Sequence, residues 1–118
     1  MCGRFTLRTS LNLLAEHFLF SVSPDISLPQ KYNIAPTHNV ATLAAPHGQR
    51  QLRWLHWGLI PSWSKDPSRA SRMINARSET LHEKPSFRQA FQKRRCLILA
   101  DGYYEWRSSG TVKQPFFI

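Results

Sequence analysis

Cys96-Leu97-Ile98-Leu99-Ala100-Asp101-Gly102-Tyr103-Tyr104-Glu105-Trp106 is the stretch of sequence that decides the fold. Its first five residues form an uninterrupted apolar run, which predicts a buried strand from Cys96 to Ala100 with Cys96 in the core. Asp101-Gly102 predicts a turn, after which the chain continues extended through the aromatic residues. Ser108-Ser109-Gly110 predicts a second turn that leads into the apolar run at 115–118.

The segments on the N-terminal side of this stretch alternate between short strands and short helices. In the predicted strands, apolar and polar residues alternate. After Ser10 and after Ser86, each a candidate N-cap, apolar residues recur with helical spacing. We therefore predict an α+β fold with a mostly antiparallel, curled and barrel-like sheet and short flanking helices, in one domain over residues 1–118. The predicted strands are 2–7, 40–45 and 51–59, the helices are 11–18 and 86–93, the short extended piece is 73–77, and the loops are 20–36 and a mobile basic segment, 64–72.

The final apolar run has no turn or polar residue after it, as if a strand had been separated from its partners. We expect the chain to be the N-terminal part of a longer domain, truncated on its C-terminal side.

The charge of the chain indicates a polyanionic partner. Sixteen Lys and Arg against seven Asp and Glu give a formal net charge of +9. Eleven of the sixteen are Arg, whose planar guanidinium binds phosphate through two hydrogen bonds and stacks on bases. Four Trp residues offer flat surfaces of the kind on which single-stranded nucleic acid stacks.

Several other classes of protein are disfavoured. The N-terminus has no apolar run of the kind that directs secretion, and no apolar run in the sequence is long enough to span a membrane. We therefore expect a cytoplasmic protein of bacterial type associated with the nucleoid. Two cysteines and five scattered histidines lack the spacing of a metal site, and we expect neither a metal nor another cofactor. The chain has neither a glycine-rich phosphate loop nor a Gly-x-Ser-x-Gly turn.

Cys2 is the most reactive candidate in the sequence. Initiator Met is normally removed before a small residue, so we predict that the mature chain begins at Cys2 and carries a thiol and a free α-amine on adjacent carbons. An α-amine is much less basic than a lysine amine, so part of it is neutral and nucleophilic at cellular pH. The alternative is that Cys2 only fills a small apolar space at the start of a strand.

Two further segments carry candidate site residues. An extended piece at Asn75-Ala76-Arg77 would project an amide and a guanidinium to the same side, which suits a carbonyl next to a phosphate. An exposed Arg in a surface ion pair is the alternative. Glu105 lies among three aromatic residues, which suits it either to proton transfer or to a structural pairing with Arg.

Five blocks of this sequence, in order, resemble the signature blocks of the SRAP family, the SOS response-associated peptidases. The blocks are Met-Cys-Gly-Arg at 1–4, Tyr-Asn-Ile-Ala-Pro at 32–36, Trp-Gly-Leu-Ile-Pro-Ser-Trp at 57–63, Asn-Ala-Arg-Ser-Glu-Thr at 75–80, and the run from Arg94 to Trp106. The resemblance implies a monomeric abasic-site sensor of the DNA damage response that traps the sugar aldehyde in single-stranded DNA covalently on its N-terminal cysteine.

The resemblance also implies roles for single residues. Two departures accompany it: Ser64 stands where the family often has a second aromatic residue, and the family's catalytic His belongs to a His-x-Arg-Met-Pro-like block that this sequence does not contain. The implied roles are nucleophile for Cys2, positioning of the opened sugar for Asn75, acid and base for Glu105, phosphate contacts for Arg4 and Arg77, and contacts with flanking bases for Pro36 and Trp63.

Three functions remain open from the sequence. In the first, the Cys2 amine condenses with the aldehyde and the sulfur closes a thiazolidine ring. In the second, Cys2 is the nucleophile of a peptidase or hydrolase whose activity includes removal of its own Met1, and the basic surface is then unexplained. In the third, the Arg and Trp residues bind single-stranded DNA without any catalysis.

Overall fold

Two antiparallel sheets and two short α-helices form the fold in residues 2–118, the part of the chain that the computed structural model describes, Arg69 by its backbone alone. Met1, whose removal the sequence predicts, lies outside the described residues. The predicted α+β class with a curled antiparallel sheet is confirmed. The elements in chain order are β1 (Phe5–Leu7), α1 (Leu11–Phe18), β2 (Lys31–Ile34), β3 (Asn39–Ala44), β4 (Gln51–His56), α2 (Pro85–Lys93), β5 (Leu97–Ile98), β6 (Gly102–Ser109) and β7 (Val112–Phe117), with 3-10 turns at Pro46–Gly48 and Pro67–Arg72.

The first sheet is a curled half-barrel with the strand order β2-β1-β6-β7. Its central strand β1 aligns Phe5 with Ile34 of β2 on one side and with Tyr103 of β6 on the other. The register shifts between Phe5 and Leu7, which marks a bulge, and bulges increase the local twist of a strand. The hairpin predicted around Gly110 joins β6 to β7.

The second sheet has the order β4-β3-β5. The strands predicted at 40–45 and 51–59 form a hairpin through 46–48, in which β3 and β4 pair in register from Asn39 opposite His56 to Ala44 opposite Gln51. On its other edge β3 pairs with the two-residue strand β5. The buried residues of β3 face those of β1 in one core cluster: Phe5, Leu7, Leu14, Phe20, Ile34, Val40, Ala41, Leu43, Leu52, Trp57 and Leu99.

The two helices begin for different reasons. The hydroxyl of Ser10 accepts a hydrogen bond from Leu13 N, so the predicted cap of α1 is confirmed. The predicted cap of α2 at Ser86 is wrong: Pro85 is the first helical residue and Lys84 the N-cap, because proline has no N–H to leave unsatisfied at that position. Neither helix of the described residues is long and apolar enough to cross a membrane.

Three other local predictions are wrong, each because tertiary packing decided the structure. The segment 20–36 is not loop throughout, since its end pairs with β1 as β2. The supposed mobile segment 64–72 contains a 3-10 helix that Asp66 caps and whose Ala70 is buried. Of the predicted buried strand Cys96–Ala100, only Leu97–Ile98 is strand and only Leu99 is buried.

Asp101 fastens the end of β1 to the start of β6. Its carboxylate accepts hydrogen bonds from the amides of Arg8 and Thr9 and from the Thr9 hydroxyl, and it contacts the Arg8 guanidinium. Burial alone would raise the pKa of Asp101, but these hydrogen bonds and the Arg8 charge together hold it below its usual value. The residue therefore stabilises the fold as a carboxylate.

Large apolar side chains are exposed at the outer strands β5 and β7. Leu97 and Ile98 of β5 are 57% and 50% exposed, and Phe117 of β7 is 51% exposed. Helix α2 has no buried residue: Phe87 and Ala90 are half-buried and Phe91 is exposed. The core is thus closed around β1 and open around β5, β7 and α2.

Candidate active site

Cys2 is held at the edge of the core by the strand that follows it. All three residues of β1 are buried, and Cys2 is half-buried and packs against the same core. Its Sγ lies 3.7 Å from the carbonyl oxygen of Arg4, a weak thiol donor contact. Cys2 is three residues before β1, an inner strand that pairs with β2 and β6, so only a short connection separates it from the sheet.

Asn75 is brought to Cys2 from a segment far away in the sequence. Its side-chain Nδ2 donates a hydrogen bond to the carbonyl oxygen of Cys2, with a distance of 3.0 Å across 73 positions of sequence. This bond is made to the backbone of Cys2 and not to its thiol. The sequence singled out both residues, but their separate patterns gave no indication of this bond.

The segment before Asn75 is anchored by the residues that follow β4. The buried indole of Trp57 donates from Nε1 to the Ile74 carbonyl at 3.1 Å, and Leu59 N donates to the Met73 carbonyl at 3.0 Å. Trp57 also packs on Phe5, with ring centroids 5.2 Å apart. One buried aromatic ring therefore connects β1 with the segment that carries Asn75.

Arg4 extends from the Cys2 segment towards β2. Its Nη1 donates to Oδ1 of Asn33 at 2.9 Å, and its carbonyl accepts from Tyr104 N at 2.8 Å. The Tyr104 hydroxyl in turn donates to the Tyr32 carbonyl at 3.2 Å. Asn33 was not among the predicted site residues, although it lies in the Tyr-Asn-Ile-Ala-Pro block, which was the available signal.

Glu105 lies on β6 beside the N-terminal segment. The pairing of Phe5 with Tyr103 and the bond from Tyr104 to Arg4 run antiparallel, so the next residue of β6 lies alongside the short connection from Cys2 to Arg4. On its other side Glu105 is paired with Phe116 of β7. Its side chain is half-buried.

Arg77 and Asn75 line the same concave site, of about 320 Å³. Residues 75–77 belong to no strand of either sheet, and both Asn75 and Arg77 border this cavity. Arg77 is exposed. An amide donor and a guanidinium thus border one concave site that adjoins the Cys2 backbone.

The two residues expected to contact bases lie in separate connections. Pro36 is half-buried in the turn between β2 and β3, and Trp63 lies in a turn after β4 with 60% of its surface exposed. Trp54 and Trp106 are also exposed, but Trp57 is a core residue. Three of the four Trp residues, not all four, are therefore available for stacking.

Cys96 differs from Cys2 in its exposure and in its place in the chain. It was expected in the core, but it is exposed in the structure because β5 is an outer strand. Partial burial raises the pKa of its thiol, which lowers the thiolate fraction. As an internal residue it has no α-amine. Within residues 2–118 no group of three His, Cys, Asp or Glu side chains is arranged to hold a metal ion.

Comparison with known proteins gives a consistent result along the whole chain. The model of the family described as SOS response associated peptidase (SRAP) matches residues 1–118. The abasic site processing protein YoqW of Bacillus subtilis is 44% identical over 108 residues, which are 91% of this chain and 48% of that protein. The abasic site processing protein YedK of Escherichia coli is 37% identical over 122 residues, covering all of this chain and 53% of YedK.

Solved structures match to the same extent. A crystal structure of a protein from Bacteroides thetaiotaomicron superposes with a TM-score of 0.79 at 26% identity, covering 98% of this chain and 53% of that one. A phage-related protein from Bordetella bronchiseptica gives a TM-score of 0.73 at 28% identity, with 98% and 54% covered. The chain thus spans about half the length of the relatives it matches.

Proposed function

Since the chain belongs to the SOS response associated peptidase (SRAP) family, we propose that it captures abasic sites in single-stranded DNA as a covalent adduct on Cys2. Relatives over most of its length bear the name abasic site processing protein. The net charge of +9 and the three exposed Trp residues suit a single-stranded polyanion. We further propose that it acts as a monomer without a metal or other cofactor, in the DNA damage response of a bacterial type of cell.

The proposed chemistry joins three groups and releases one water. After removal of Met1, the α-amine of Cys2 adds to the C1′ aldehyde of the ring-opened sugar to give a carbinolamine. Loss of water from the carbinolamine gives an imine. The Cys2 sulfur then adds to the imine carbon, and the ring nitrogen receives the thiol proton, which closes a thiazolidine. No electron donor or acceptor is required.

The neighbouring residues would assist different steps. Glu105 would move protons when the carbinolamine loses water, and Asn75 would hold a sugar oxygen beside the reacting carbon. Arg4 and Arg77 would bind the flanking phosphates. Pro36 and Trp63 would contact the bases on either side of the lesion.

The observation that supports this proposal best is the 3.0 Å hydrogen bond between the Asn75 side chain and the Cys2 carbonyl. It brings an amide that can bind a sugar oxygen next to the residue that would carry both nucleophiles. It also gives the N-terminal residue a defined position, which an intramolecular reaction between bound groups requires.

The test is adduct formation with an oligonucleotide that contains one abasic site, analysed by denaturing electrophoresis. We expect a shifted band with the wild-type protein and with Cys96→Ser, the matched control that removes the other thiol. Cys2→Ser keeps the α-amine, so we expect its adduct only when borohydride is added to reduce the imine. Mass spectrometry of each protein establishes whether Met1 is absent.

Other outcomes would favour the other functions. Equal adduct formation by Cys2→Ser without borohydride would refute the ring closure. Binding of intact and abasic strands with equal affinity, without an adduct, would indicate a non-catalytic single-strand binder. Peptide cleavage without DNA that depends on Cys2 would indicate a peptidase.

A further inference from the structure

The concave site shared by Asn75 and Arg77 extends well beyond these two residues. Its volume is about 320 Å³, and it is lined by Asn75, Ala76, Arg77, Thr80, Leu81, Lys84 and Phe87. Because Asn75 is hydrogen-bonded to the Cys2 carbonyl, the site adjoins the N-terminal residue. Five of its lining residues have no role in the function proposed above.

The polar lining residues share one side of a helical turn. Leu81 N donates to the Arg77 carbonyl at 3.0 Å and Lys84 N donates to the Thr80 carbonyl at 3.0 Å, both over four residues. Side chains three or four residues apart on a helical turn lie on the same side of it. Arg77 and Lys84 therefore lie on one side, with Thr80 or Leu81 between them. The turn thus presents two cations and a hydroxyl to the same concavity.

The charge of this concavity favours an anion. Among the described residues that line it, none carries a carboxylate. Lys84 is also the N-cap of the nine-residue helix α2, whose first turn has no acidic residue. The positive end of the helix dipole therefore adds to the two side-chain charges instead of being neutralised by its own sequence.

The other part of the concavity is apolar. Leu81 and Phe87 are both half-buried and form a surface next to the cationic side. A nucleotide has the same two parts. At one end it has an anionic phosphate, which two cations can bind, and at the other a flat, less polar group. A free inorganic anion would leave the apolar surface unused.

We propose that this concavity binds the nucleotide next to the captured abasic site, with its phosphate held by Lys84 and Thr80 together with Arg77 and its sugar or base against Leu81 and Phe87. The inference rests on the proposed function, because it takes the strand to be held at Cys2. Lys84 and Thr80 thereby become DNA-binding residues, and Lys84 sets the position of the strand relative to the Cys2 nucleophiles.

The test compares Lys84→Gln with Lys93→Gln, which removes the same charge from the other end of α2. Binding of an abasic oligonucleotide is measured by fluorescence anisotropy over a range of salt concentrations, and circular dichroism checks that both variants are folded. We expect Lys84→Gln to weaken binding about fivefold at about 0.1 M salt and to reduce the salt slope by about 0.7, the value for one phosphate contact with a single strand. Lys93→Gln should match the wild type.

A second measurement locates the phosphate. Each phosphate near the lesion is replaced in turn by an uncharged methylphosphonate, and the effect of Lys84→Gln is measured on every strand. At one position adjacent to the lesion the effect should disappear, because the partner charge is already absent. If Lys84→Gln costs the same on every strand, or no more than Lys93→Gln, the inference is refuted.

The outcomes separate this inference from the proposed function. A wild-type adduct together with no effect of Lys84→Gln at any phosphate refutes the nucleotide site and leaves capture on Cys2 intact. A position-specific effect of Lys84→Gln without any adduct supports the nucleotide site and refutes capture.

Discussion

Replacing Gly58 with Ala should destabilise the fold more than the same change at glycines in open turns. Gly58 has φ +134°, and a Cβ built on it would lie 2.4 Å from the Ala70 carbonyl oxygen and 2.8 Å from its carbon. Real Cβ atoms do not approach backbone atoms this closely, so the 3-10 helix that contains Ala70 would have to move. The contact is with backbone, which cannot rotate away as a side chain can.

The magnitude follows from two contributions. A positive φ costs a non-glycine residue about 1–2 kcal/mol, and forcing extra volume into a packed contact costs a further amount of about 1–3 kcal/mol. The expected loss for Gly58→Ala is therefore about 2–5 kcal/mol, or about 8–20 °C in Tm at about 4 °C per kcal/mol. The smaller conformational freedom of Ala in the unfolded chain offsets part of this, equally at all sites.

Two other glycines provide matched controls. Gly48 and Gly110 have φ +81° and +60°, and a Cβ on either would have nothing within 4 Å. Their Ala variants carry the φ cost alone, so we expect a lower Tm by only about 4–8 °C. Gly3 has neither a positive φ nor a neighbour, and Gly3→Ala should leave Tm within about 2 °C of the wild type.

Thermal unfolding followed by circular dichroism tests the order of these four variants. If Gly58→Ala lowers Tm no more than Gly110→Ala, the close approach to Ala70 is absent and the reasoning is refuted. The variant should also slow adduct formation, since displacement of Ala70 would be passed to Met73 and Asn75 through the hydrogen bond to Leu59. Unchanged adduct formation with a lowered Tm would contradict this second step.

Three further changes give separate checks. Phe5→Ala empties a buried position that packs on Trp57 and should lower the free energy of unfolding in urea by about 3–5 kcal/mol; a loss below about 1 kcal/mol would contradict its place in the core. Asp101→Asn removes a carboxylate with a lowered pKa, whose stabilisation is present above the unfolded pKa of about 3.9 and is lost as pH falls through the folded pKa, so the variant should show a flatter dependence of Tm on pH below about 4.5. Trp63→Ala should weaken binding of single-stranded DNA by about 1–3 kcal/mol in anisotropy measurements without a change in Tm; equal affinity would show that this ring does not stack on a base.

The sequence predicted those parts of the fold whose signals are local. Ser10 is followed by helical spacing, and the cap of α1 formed as expected. The two hairpins formed where glycine-containing turns separate apolar runs. In these elements the residues that set the conformation are within a few positions of each other.

The failures occur where a distant segment decides the structure. The strand β2 follows a proline-rich loop and has only one buried residue. Its order of apolar and polar residues therefore does not predict its pairing with β1. The apolar run that begins at Cys96 predicts a buried strand. Whether an outer strand is buried depends on which segment covers it, and the periodicity of the run cannot predict that.

The candidate site shows the same division. Each of the predicted residues belongs to a conspicuous block, so its type could be recognised from the sequence. Contacts across the fold, such as those of Asn75 with Cys2 and of Arg4 with Asn33, depend on the position of Trp57 and on the sheet register. Lys84 was not recognised because it lies outside the five blocks and is one of several exposed cations in the sequence.

The Asn75 side chain donates its hydrogen bond to the backbone of residue 2, so this contact does not depend on the side chain of residue 2. A different side chain at that position would keep the same carbonyl and therefore the same place in the molecule. If Met1 is removed as proposed, the terminus is also an addressable handle, open to thioester ligation or to cyanobenzothiazole dyes, which require the same amine and sulfur. Occupancy of the site by DNA could then be followed as protection from labelling, with Cys96 silent because it has no adjacent amine.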